Sequence, residues 1–115
     1  MSSQAIEVLS LTKKAGGTIA DKRFVAFDGT QAAADANVMG ASRYAAASGN
    51  DLPVTVLGTA VVEAGGVVAV GDPVSSDAQG RAVKMDGATY TVTVGRALEA
   101  AAQAGDFIEV TLIPN

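Results

Sequence analysis

VTVLGTAVVEAGGVVAVGDPVSSDAQGRAV, Val54 to Val83, is the stretch whose reading decides the fold. It holds short apolar runs, each closed by turn residues. Val54–Leu57 and Thr59–Val62 come first, with Gly58 between them. Ala64-Gly65-Gly66 follows as a turn, because glycine reaches positive φ without steric cost. Val67–Val70 is the next run, and it stops at Gly71-Asp72-Pro73, where proline sets φ and offers no N–H. Val74 opens another run, Asp77-Ala78-Gln79-Gly80 turns it, and Arg81–Lys84 returns. β-Branched residues suit a pleated, half-buried surface. The stretch therefore predicts a β-meander, with Pro53 as its first residue, where a missing donor is tolerated.

Outward from this centre the pattern stays β. Toward the C-terminus, Met85-Asp86-Gly87-Ala88 reads as a turn and Tyr90–Val94 as a strand. Gly95 to Ala102 is ambiguous. Ala, Leu, Glu and Arg favour helix, but the bracketing Gly95 and Gly105 and the alternation of residues favour a strand, which is the expectation. Phe107–Ile113 is the clearest strand, with Pro114 as its stop. Glu63–Val74 (EAGGVVAVGDPV) and Glu99–Val110 (EAAAQAGDFIEV) faintly echo one another, each placing Gly-Asp before a strand.

Toward the N-terminus, Ser48-Gly49-Asn50-Asp51 is a loop, Gln31–Asn37 a loop or one short helix, and Arg23–Phe27 a strand turned by Asp28-Gly29. Lys13-Lys14-Ala15-Gly16-Gly17 is a charged, glycine-rich break. It divides an N-terminal arm (1–14), frayed at Met1–Ser3, from a single β-rich domain (15–115). Ile6, Val8, Leu9 and Leu11 are the apolar residues of that arm and the candidate partner contacts. A second reading makes Ile6, Val8 and Leu11 an ordinary edge strand of the body. The fold class expected is all-β with at most one short helix, as a small β-barrel or β-sandwich.

Composition bounds the function. A chain of 115 residues suits one domain. Aromatics are 4% and Trp is absent, so the core must come from Val, Ala, Leu and Ile. Small side chains bury less area each, at roughly 25 cal/mol per Å², so self-association is expected to help. The net charge of −4 gives no general basic face, and no nucleic-acid partner is expected. No apolar run approaches the roughly 18 residues of a membrane span, and the first residues show no signal-peptide pattern. The chain reads as intracellular where it is made.

Histidine and cysteine are both absent. That removes the commonest general base, the thiolate nucleophile and their usual metal sites. No phosphate-binding GxxxxGK[ST] or GxGxxG motif occurs. Asp72, Asp77 and Asp86 as a cation site, Ser75 or Ser76 with Lys84 as a nucleophile pair, and Asp28 with Asp35 as paired carboxylates are each outweighed by the plain role of Asp and Ser in turns. No enzyme, cofactor or metal is expected.

Gly71-Asp72-Pro73-Val74, Asp77-x-x-Gly80-Arg81-Ala82-Val83, the closing GRALEAAAQAGDFIEVTLIPN (95–115) and the earlier AGGTIADKRFVAFDG (15–29) carry a resemblance. In that order they resemble the capsid cement or head decoration proteins of tailed bacteriophages, the DUF2190 family. The resemblance implies a small β-rich structural protein that clips onto the outside of the capsid. It implies the major capsid protein as partner and a homotrimer at threefold and quasi-threefold positions, with a dimer as alternative. Strand addition by the arm to a coat-protein edge is the expected mode of binding. A host-surface glycan-binding module displayed on the virion is the second function class, and it would need exposed aromatics.

Overall fold

A computed structural model describes residues 5–113. The chain is all-β, and no helix occurs among the described residues. Its strands are β1 (Glu7–Lys14), β2 (Phe24–Val25), β3 (Gly40–Ser42), β4 (Asp51–Glu63), β5 (Pro73–Ser76), β6 (Ala82–Lys84), β7 (Gly95–Ala97) and β8 (Phe107–Leu112). The ladders are antiparallel and run β2-β3-β4-β8-β7-β5-β6, with β1 also on β4.

The two ends of that order nearly meet, which gives a barrel-like sheet. The Phe24 N–H of β2 donates to the Gly80 carbonyl in the turn between β5 and β6, at 2.8 Å. Arg23 reinforces the seam by donating to the Gln79 carbonyl and to Glu63 Oε1. Gly80 sits at φ 75°, and a Cβ there would stand 3.0 Å from the Phe24 carbonyl oxygen, so turn geometry and close approach both favour glycine. The expected strand stop at Pro114 and fraying at Met1–Ser3 lie outside the described residues.

The meander is corrected. β4 and β5 are not neighbours, and only β5 and β6 form the hairpin expected from the Asp77–Gly80 turn. β4 pairs instead with β8, from Thr59↔Thr111 to Glu63↔Phe107. The expected break at Gly58 is absent too, since β4 runs through it. Gly58 takes φ 105° beside the register shifts of the β1–β4 ladder, and a Cβ there would lie 2.1 Å from the Ile6 carbonyl oxygen. A bulge absorbs what the sequence presents as a turn.

Two further runs differ from expectation. Val67–Val70 forms no strand; only Val68 is bridged, to Ala101, and it is buried while Val67 and Val70 are exposed. Tyr90–Val94 keeps its inward alternation, with Val94 buried and Val92 packed on the core, but it joins no ladder. The Asp35 carboxylate takes the Thr91 and Val92 amides at 2.7 and 2.8 Å, replacing a neighbouring strand. Beyond Gly95–Ala97, the ambiguous stretch turns rather than continuing as strand.

The echoed segments pack against each other. Val68 and Ala101 exchange backbone hydrogen bonds of 3.0 and 2.8 Å. In each segment a glycine at positive φ precedes an Asp whose carboxylate accepts a nearby backbone N–H, Asp72 from Ala69 and Asp106 from Ala102. The sequence echo is thus a repeated turn geometry.

The main core lies inside the barrel, around Phe24, Val62, Val74, Val94, Ile108 and Val110. A smaller cluster of Ala15, Ile19, Val25, Leu52 and Val54 sits beneath the first half of β4. The limited volume of that second cluster is what positions the surface described next.

Candidate functional site

β1 contributes its backbone to the sheet and few of its side chains to a core. It ladders with β4 from Glu7↔Gly58 to Lys14↔Asp51, so the edge-strand reading of this segment describes its place in the chain. Yet Ile6, Val8, Leu9 and Leu11 are 55, 72, 42 and 46% exposed. Exposed apolar residues are ordinary when single, and informative when contiguous.

Leu9 and Leu11 belong to a contiguous apolar surface. Leu9, Leu11 and Lys13 line an apolar groove of about 470 Å³ together with Phe27, Met39, Val56 and Leu57. The alternation of β1 puts Leu9, Leu11 and Lys13 on one face. Val56 and Leu57 come from β4, Phe27 from the end of the β2 segment, and Met39 from the approach to β3. Phe27, 51% exposed, is the only aromatic in this groove. The sequence reading found Leu9 and Leu11 but missed Phe27, Met39, Val56 and Leu57. Phe27 directly before Asp28-Gly29 was a usable signal, because an aromatic at the lip of a tight turn has little room to turn inward.

A separate polar cluster forms around Glu7. Glu7 Oε1 pairs with Arg43 Nη1 at 2.9 Å and accepts from Thr55 Oγ1 at 3.1 Å. The Arg43 hydrogen bond holds the Glu7 carboxyl below its ordinary range, and Glu7 in turn raises Arg43. Lys22 Nζ lies 3.1 Å from Asp21 Oδ2 and 5.6 Å from the centre of the Phe107 ring.

The constellations weighed as chemistry are used by the fold. Asp72 accepts from Ala69; Asp86 accepts from Ala88 and Tyr90. Asp77 is buried, accepts from the Gln79 and Arg81 amides, and pairs with Arg81 Nε at 2.8 Å. Asp28 accepts from Thr30 within its own turn, and Asp35 accepts from Thr91 across the fold. The buried Ser75 hydroxyl donates to the Val92 carbonyl, and Lys84 is exposed on β6. Among the described residues no group of three or more acidic side chains is placed to hold a metal.

Two comparisons with known proteins find a likeness. A family model described as "phage cement protein" matches residues 3–112. The fold is similar to the N base of the head fiber gp8.5 of bacteriophage phi29, with a TM-score of 0.73 and 23% identity over 91% of this chain and 93% of that one. No curated protein sequence matches.

Proposed function

This chain belongs to the phage cement protein family, and from that premise we propose that it binds the outer surface of a phage capsid and stabilises the coat lattice. Family membership makes it a capsid-associated structural protein. The observation that supports a specific surface is the apolar groove along β1 and β4, with Leu9, Leu11 and Phe27 exposed and Met39, Val56 and Leu57 half-buried along it. A coat subunit seated there removes this area from water, at roughly 25 cal/mol per Å². Ile6 and Val8 are exposed on the same segment but lie outside the groove's lining. β1 ladders only with β4 among the described residues, so its other edge is free to add a coat strand through main-chain hydrogen bonds.

Each such contact is modest, and oligomerisation multiplies it through effective concentration. The arrangement proposed is a homotrimer at threefold and quasi-threefold positions of the capsid exterior, bridging neighbouring coat subunits, with a dimer as the alternative. Bridging opposes the outward pressure of packed DNA. The protein is made in the host cytoplasm and resides on the virion.

Leu11→Glu combined with Phe27→Glu tests the reading by co-sedimentation with purified undecorated capsids. The expected outcome is lost binding with an unchanged circular dichroism spectrum. Binding equal to wild type overturns the groove as the coat contact. Point changes suit this better than removal of residues 2–11, which also strips β4 of most of its ladder with β1.

A further inference from the structure

A second hollow, of about 340 Å³, opens elsewhere on β4 and shares no lining residue with the groove. Ala5, Lys22, Arg43, Tyr44 and Val61 line it. Its construction differs. Tyr44 is 61% exposed and lines the hollow with its aromatic side chain. Both cations are already matched by carboxylates, Arg43 by Glu7 at 2.9 Å and Lys22 by Asp21 at 3.1 Å. Lys22 is also held from its backbone. It takes φ 56°, a left-handed conformation that residues with side chains seldom adopt. Its N–H donates to the Ser42 carbonyl at 3.1 Å, and its carbonyl accepts from Glu63 at 3.0 Å. Strained backbone fixed from both sides is a recurring feature of ligand sites.

We propose that this hollow binds a neutral saccharide. Its volume lies at the small end of ligand pockets, enough for one or two sugar rings. An aromatic face beside Val61 and Ala5 suits the C–H face of a pyranose. The rim supplies what hydroxyl groups need, which is donors and acceptors side by side. Arg43 has guanidinium N–H groups beyond the one spent on Glu7, and Lys22 has ammonium hydrogens beyond the one spent on Asp21. Glu7 and Asp21 supply lone pairs. A free anion would compete with those two carboxylates for the same cations, and the chain as a whole carries −4. An apolar ligand would leave both ion pairs desolvated without compensation. A hydroxylated, uncharged ligand meets neither obstacle. The site stands on its own geometry, whether or not the groove binds a coat protein.

The test is a titration of the full-length, 15N-labelled protein with a panel of neutral methyl glycosides and N-acetylglucosamine, read by amide chemical shifts. Saturable shifts centred on Lys22, Arg43, Tyr44 and Val61 are expected for at least one member. Tyr44→Ala should weaken that binding about tenfold or more, equivalent to 1.4 kcal/mol, and Arg43→Gln should weaken it independently, while Leu11→Glu leaves it unchanged. The same spectra report whether each variant is folded. No saturable shift with any neutral sugar overturns the proposal. Tighter binding of inorganic phosphate or a sulfated saccharide at these residues overturns it as well, by making the hollow an anion site.

Discussion

β4 is one strand with two kinds of neighbourhood. Its second half, Thr59–Glu63, pairs with β8 and sits over a core of sixteen buried residues. Its first half, Asp51–Leu57, pairs with β1 and β3 over a cluster of five. The larger core has enough partners to cover its apolar side chains. The smaller one does not, and Leu9, Leu11, Phe27 and Leu57 are left along the groove. Val67, Val70 and Phe107 are exposed elsewhere, but the groove beside this half of β4 gathers several apolar residues into one hollow. A surface of that kind belongs to intermolecular contact more naturally than to the stability of the monomer.

Matched truncations in the two clusters break or sharpen this contrast most directly. Ile108→Ala removes a side chain hemmed in by β4 and β7, where the walls cannot close, and should cost about 4 kcal/mol. Leu52→Ala, equally buried but beside the open groove, should cost about 2 kcal/mol because the site can collapse. Equal losses in urea unfolding would remove the distinction between the halves. Asp77→Ala comes next. It leaves the Gln79 and Arg81 amides and the Arg81 guanidinium without their acceptor at the barrel seam, for a loss of about 2 kcal/mol.

Acid should act more locally. Hydrogen bonds from the Val92 and Thr91 amides and the Thr91 hydroxyl lower the Asp35 carboxyl below its ordinary 3.8. Its folded-state value is depressed, so its contribution is complete above 3.8 and is lost as the pH falls through the folded value. Below pH 3.8, the Thr91 and Val92 amides should gain exchange relative to Val94, whose N–H is bonded to the Val74 carbonyl. Asp35→Asn should open the same two amides at neutral pH and remove that pH dependence. The smallest stability effect belongs to the groove, where Leu11→Glu should move unfolding by no more than about 0.5 kcal/mol while capsid binding is lost.

The all-β class was legible because turns and alternation are local. Asp77–Gly80 announces the β5–β6 hairpin, and Phe107–Leu112 reads as a strand from its own residues. Leu9 and Leu11 stood out as candidates because the charged, glycine-rich break at Lys13–Gly17 sets their segment apart as an arm, and the structure leaves both exposed. The groove as a whole was not, since Phe27, Met39, Val56 and Leu57 come from separated segments. Tyr90–Val94 shows the limit most plainly. Its side chains alternate as a strand requires, but a carboxylate far earlier in the chain, at Asp35, takes the amides that a neighbouring strand would have taken.

By itself, then, the sequence determined which stretches are extended and where they turn, because φ/ψ preference and side-chain alternation are properties of a few consecutive residues. Only the tertiary structure decided that β4 joins β8 instead of β5, that β1 lies along its own sheet, and that two unlike hollows open on β4. Strand partners are chosen by how much apolar area a pairing buries across the whole chain, and no local pattern carries that sum.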